Sequence, residues 1–182
     1  MQQYTDQELL EMYRNENSRN MSLHHLINQY QQKLYWHIRK IIIDHDDSND
    51  VLQNTFIKVW KGMESFKEES KLYTWLYRIA TNESISFLRQ KQGKTMVSMD
   101  TVENQLSRSL ESDPYYKGDE IQLKLQKAIL TLSERQRIIF NMRYYDEMPY
   151  EEMSEILDTT PVTLRTTYHQ AAKKVEEYLL SR

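Results

Sequence analysis

Three glycines, at 62, 93 and 118, and three prolines, at 114, 149 and 161, are all the backbone breakers that 182 residues contain. A chain of short strands needs a turn signal roughly every 8–12 residues, which so few breakers cannot supply. Leu, Ile, Glu, Lys and Gln are abundant and favour helix, so the expected fold class is all-α. The chain has no cysteine, which removes disulfides, thiolate nucleophiles and cysteine metal sites and fits a reducing compartment. His24, His25, His37, His45 and His169 lack zinc-site spacing and read as solvated histidines on helix surfaces, so neither metal nor cofactor is expected. No apolar run approaches the ~18 residues of a membrane span, and the N-terminus lacks the basic-then-apolar pattern of a signal peptide. A cytoplasmic location is the expectation.

The breakers divide the chain. Between Gly93 and Gly118 no apolar period is sustained, and Ser, Asp and Thr dominate. The reading is two small helical domains, 1–92 and 119–182, joined by a flexible linker over 93–118, with a modest or partner-dependent interface between them.

In the first domain, Leu23, Leu26, Ile27, Tyr30, Leu34, Ile38 and Ile42 recur at helical spacing and define a buried stripe. A second helix buries Val51, Leu52, Phe56 and either Val59 or Trp60. The run from Lys71 to Gln92 mixes rings with cations. At 100° per residue, Leu72, Leu76, Ile79, Ala80 and Phe87 fall on one side, and Thr74, Arg78, Asn82 and Arg89 on another. Tyr73, Trp75 and Tyr77 lie on the borders. From Lys71 to Lys94 five basic residues face one acid, Glu83, in a chain of net charge -3. Such a strip suits single-stranded nucleic acid, with cations on phosphates and rings stacked on bases; equally, a basic strip is often only a solvated helix face.

The second domain favours nucleic acid. Ser133 with Gln136 marks a helix start, followed by an apolar face of Ile138, Ile139, Met142 and Tyr145. Pro149 opens a short helix with Met153, Ile156 and Leu157 inward. After the turn of Asp158, Thr159 and Thr160, Pro161 begins a longer helix whose inner stripe is Leu164, Tyr168, Ala171, Val175 and Leu179. This is a helix-turn-helix arrangement, whose second helix enters the DNA major groove. Its outward positions Thr163, Arg165, Thr166, Thr167, His169 and Gln170 can all form hydrogen bonds. From Thr159 to Val175 there are three basic residues and no acid. Glu151, Glu152 and Glu155 read as a solvated face, not as catalytic carboxylates, and no catalytic constellation is present. The chain is therefore read as a binding protein and not an enzyme.

In this order the segments resemble bacterial sigma factors of the extracytoplasmic-function (ECF) group, from about Thr5 to Leu180. NDVLQNTFIKVWKGMESF is similar to the group's core-polymerase-binding segment, YTWLYRIATNESISFLRQ to its minus-ten melting segment, and LSERQRIIFNMRYYDEMPYEEMSEILDTTPVTLRTTYHQAAKKV to its minus-thirty-five domain. The resemblance implies promoter-specific initiation in partnership with core RNA polymerase, through the largest-subunit clamp and the flap, and with promoter DNA. It also implies an anti-sigma factor in trans and no small-molecule substrate. Asp50, Gln53, Asn54, Phe56 and Ile57 would bind the polymerase. Lys71, Tyr73, Trp75, Arg78, Asn82 and Arg89 would hold minus-ten DNA, and Thr163, Arg165, Thr166, Thr167, His169 and Gln170 minus-thirty-five DNA. The linker would thread near the polymerase active-site channel. A free-standing helix-turn-helix regulator is the other reading.

The chain departs from the group's pattern at several points. An acid is common where Asn54 stands, a glycine where Asp158 stands and a Ser or Thr cap where Pro149 stands. Arginines are common at Thr167, Gln170 and Ala172. With those charges missing, upstream recognition is expected to lean on directed hydrogen bonds.

Overall fold

The computed structural model describes residues 4–94 and 120–181, and among these the regular structure is eight α-helices and one 3-10 turn, Met63–Ser65. The expected linker lies almost wholly outside the described residues. Helix α1 (Asp6–Arg14) starts in a complete capping box. The Thr5 hydroxyl accepts from the Glu8 N–H, and the Thr5 N–H donates to the Glu8 carboxylate at 2.7 Å. Helix α2 (Arg19–Ile42) carries the long apolar stripe, and Leu26, Leu34 and Ile38 are fully buried. It ends at Ile43, a β-branched residue at φ 72, held there by burial against Leu130. Helix α3 (His45–Gly62) is capped by Asp44, whose carboxylate accepts from the N–H groups of Asp46 and Asp47, both at 3.0 Å.

Helix α4 (Leu72–Lys94) closes the first unit. The second comprises α5 (Glu120–Leu130), α6 (Glu134–Tyr144), α7 (Tyr150–Leu157) and α8 (Pro161–Leu180). Val59 takes the inner position on α3, and Trp60 is 52% exposed.

The two units share a core. One cluster of buried residues runs from Leu9, Leu34 and Leu76 through Ile139, Met142, Met153 and Ile156. A smaller cluster of Ala128, Ile129, Leu132, Phe140, Ala171 and Val175 ties α5, α6 and α8 together. The expected modest interface is thus replaced by continuous apolar packing, with α7 lying on α4 and α6 on α2. The reason lies in α6, which is buried from Arg137 through Met142. Six consecutive buried residues point in every direction around a helix, so α6 must be covered on several sides, and α8 covers only one.

The helix-turn-helix forms as its caps direct. Thr160 accepts from the Thr163 N–H at 3.2 Å, and Pro161 takes the first helical position. Asp158 supplies the turn at φ 48, ψ 53, donating its N–H to the Ser154 carbonyl. A side chain with Cβ is disfavoured there, and a carboxylate opposes the negative end of α7. Asp158→Gly should therefore raise the unfolding free energy by about 1 kcal/mol. An unchanged or lower urea midpoint would show that the Asp158 side chain is compensated elsewhere.

Candidate nucleic-acid interface

The basic strip runs from Lys71, just before α4, along that helix, and the structure splits its members. Lys71, Arg78, Asn82 and Arg89 are exposed, while Tyr73 and Trp75 are half-buried. Thr74 and Tyr77, placed by the helical wheel on the outer face and on a border, are buried at 1% and 4%. The wheel assumed one packing partner, whereas α4 touches α2, α3 and α7, and the extra neighbours cover its flanks. Burial pushes the Tyr77 hydroxyl up, and that of Tyr73 up to about 12. Both rings therefore stay neutral donors. Trp75 sits in a slot. Its ring centroid is 4.9 Å from that of Phe66, and a Cβ on Gly62 would come within 2.9 Å of it. Glycine is needed there for close approach rather than for turning.

Two of the strip's cations, Arg78 and Lys71, already have partners inside the chain. The Arg78 guanidinium donates from Nε to the Glu155 carbonyl at 2.9 Å, with a second bond from Nη2. Lys71 Nζ meets a Glu152 carboxylate oxygen at 2.8 Å, a hydrogen bond that raises the lysine's pKa above its ordinary value. Both partners belong to α7, the first helix of the helix-turn-helix.

A second polar centre joins the units nearby. Asp146, just past α6, accepts from Lys40 Nζ at 2.6 Å and lies 3.1 Å from His37 Nδ1. His37 is 1% exposed, with Nε2 2.8 Å from the Thr81 hydroxyl. This corrects its reading as a solvated surface histidine: position 37 faces α4 and α6, and its two ring nitrogens suit a buried polar bridge. Asn141 adds a hydrogen bond to the Lys40 carbonyl at 3.1 Å. Burial pushes the Asp146 carboxyl up, but the hydrogen bond and charge of His37, followed by Lys40, outweigh it and hold the group below its ordinary value.

On α3, Asp50, Gln53, Asn54 and Ile57 form one exposed stripe at helical spacing. Phe56 is half-buried and packs on the core, so its ring serves the fold. Trp60 joins the stripe's edge, three residues beyond Ile57. The spacing pointed to it, but the sequence alone left Val59 and Trp60 as alternatives for the core.

On α8, Thr163, Arg165, Thr166, His169 and Gln170 are exposed, and Thr167 is half-buried. The Arg165 guanidinium lies 5.4 Å from the Tyr150 ring centroid, with Arg143 on the same ring at 5.2 Å. Val162, an apolar residue among these polar ones, is 70% exposed.

Two family models match the chain: Sigma-70 region 2 over residues 26–94 and Sigma-70 region 4 over residues 122–175. Among curated proteins it is 29% identical to the ECF RNA polymerase sigma-E factor of Escherichia coli (strain K12), over 96% of this chain and 94% of that one. It is 27% identical to RNA polymerase sigma factor YlaC of Bacillus subtilis, over 86% and 91%. Two solved structures share the fold. The sigma factor RpoE in complex with the anti-sigma factor NepR, from Bartonella quintana, has a TM-score of 0.66 at 21% identity, covering 86% of this chain and 96% of that one. CnrH in complex with the cytosolic domain of CnrY has a TM-score of 0.69 at 18% identity, covering 96% of both.

Proposed function

The chain belongs to the sigma-70 family, in its ECF group, and directs transcription initiation with core RNA polymerase; within that role we propose how its surfaces divide the work. The observation that carries the reading is the order of parts: a region 2 match over the ringed, basic α4 and a region 4 match over an exposed recognition helix. In the division we infer, the exposed stripe of α3 docks on the polymerase. Residues 1–92 capture minus-ten DNA, residues 119–182 read the minus-thirty-five duplex, and residues 93–118 link them. Polymerase supplies the chemistry and this chain supplies binding. No helix among the described residues is long and apolar enough to cross a membrane, and the site of action is the cytoplasm, where the polymerase works. A free-standing regulator is not favoured, because the region 2 match spans most of the first unit.

The packed arrangement is then a resting state. Two elements ~25 base pairs apart are separated by about 85 Å of duplex at ~3.4 Å per pair. A compact chain of 182 residues is only about 40 Å across. The units must part on the polymerase, releasing Lys71 and Arg78 from α7 to meet phosphate. Two solved relatives of this fold hold anti-sigma factors, and we infer that such a partner also controls this chain.

The test separates melting from docking. Asn82→Ala should leave polymerase binding and melting temperature intact and lower open-complex formation on duplex by roughly tenfold, the worth of one or two kcal/mol of base contact. Trp75→Ala should do the same with a lower melting temperature, because its ring also packs on Phe66. A pre-melted template should restore most of it. Equal activity of Asn82→Ala and the unaltered protein on both templates would remove that residue from the DNA site.

A further inference from the structure

The recognition helix presents methyl groups among its exposed hydrogen-bonding side chains. On α8 the inner stripe is Leu164, Tyr168, Ala171 and Val175. At 100° per residue the line opposite that stripe passes through Val162, Thr166, His169 and Lys173. Val162 thus occupies the centre of the outer face in the first turn, where a recognition helix meets base edges.

The threonine hydroxyls beside it are turned inward. Thr166 donates to the Val162 carbonyl at 3.1 Å, and Thr167 to the Thr163 carbonyl at 2.8 Å. The Thr160 and Thr163 hydroxyls share a hydrogen bond of 2.8 Å. A hydroxyl that has given its hydrogen to its own helix no longer donates outward, and its methyl adds to the apolar surface beside Val162. Directed donation to the upstream duplex is thus left to Arg165, His169 and Gln170, which are exposed on the same helix.

We propose that Val162, assisted by the Thr166 methyl, reads the 5-methyl group of a thymine in the upstream promoter element. Thymine is the one base that shows a methyl in the major groove. An isopropyl group against the exocyclic amine of cytosine or adenine, or against the N7 and O6 acceptors of guanine, would strip water from a polar group and return nothing, so the same contact rejects the other bases. This inference rests on the assignment of α8 as the upstream reader.

The test uses holoenzyme reconstituted with core polymerase and a duplex library randomised across the upstream and downstream elements. Selection should enrich thymine at one upstream position. Replacing that thymine with deoxyuridine deletes only the methyl and should weaken binding by about fourfold, the worth of one buried methyl. In Val162→Ala the same replacement should have little effect, while melting temperature is retained because the side chain is exposed. Deoxyuridine that costs nothing, or costs Val162→Ala as much as the unaltered protein, overturns the proposal and leaves the helix as a reader by other contacts. No upstream enrichment of any base would instead sink the assignment of α8, and this proposal with it.

Discussion

Asp146→Asn is expected to destabilise the folded chain by ~3 kcal/mol, the low end for breaking one side of a buried ion pair. The carboxylate is 11% exposed and is shared by Lys40 and His37 of the other unit, so an amide leaves two buried partners facing a neutral group. The pH dependence has a definite sign. The folded carboxyl titrates below its ordinary value of 3.8, so its stabilisation is fully present above that value and is lost as pH falls through the lower folded value. The unaltered protein should lose stability on acidification through that window more steeply than Asp146→Asn. The charges that bear on Asp146 across the interface are Lys40 and His37, and its link to α4 runs through the Thr81 hydroxyl. Because this centre joins the two units, the variant should also have a larger hydrodynamic radius at neutral pH. Matching urea curves, acid profiles and radii would show that the apolar packing of Met142, Met153 and Ile156 alone holds the units together.

The helices and the helix-turn-helix were legible because their signals are local. Thr160 and Pro161 start α8 where capping rules put it, and the αL turn at Asp158 follows from a position that favours glycine. What could not be read was which outer arcs would be covered by a distant segment. Thr74, Tyr77 and His37 are all buried: α4 is packed against α2, α3 and α7 at once, and His37 reaches Asp146 of the second unit. Periodicity records how a helix divides into faces, not how many neighbours it will have. The candidate sites were legible for the same reason and to the same extent. Arg78 and Lys71 were found by charge, but their ties to Glu155 and Glu152 join residues about eighty positions apart, which no sequence window spans. The exposure of Val162 was not legible either, because an apolar residue in the first turn of a helix reads equally well as core.

Trp60→Ala is expected to weaken binding to core polymerase by roughly thirtyfold or more, about 2 kcal/mol, the threshold of an interface hot spot. Tryptophan is the residue type most enriched at such spots, and half-exposed rings are costly to leave in water unless a partner covers them. Trp60 and Ile57 are 52% and 51% exposed and lie three residues apart on the outer side of α3, next to Gln53 and Asn54. An apolar pair rimmed by polar groups is the anatomy of a docking patch. Since the indole contributes little to the buried cluster, the variant should keep its melting temperature within a degree or two, which separates lost docking from lost folding. Ile57→Ala should act in the same direction with a smaller effect, and the double variant should fall short of the sum, because neighbouring contacts couple. Phe56→Ala should behave differently: its ring packs on the core, so destabilisation must accompany any loss of binding. If Trp60→Ala and Ile57→Ala compete for core polymerase as well as the unaltered chain, while Phe56→Ala fails only through unfolding, then this face of α3 is not where the polymerase sits.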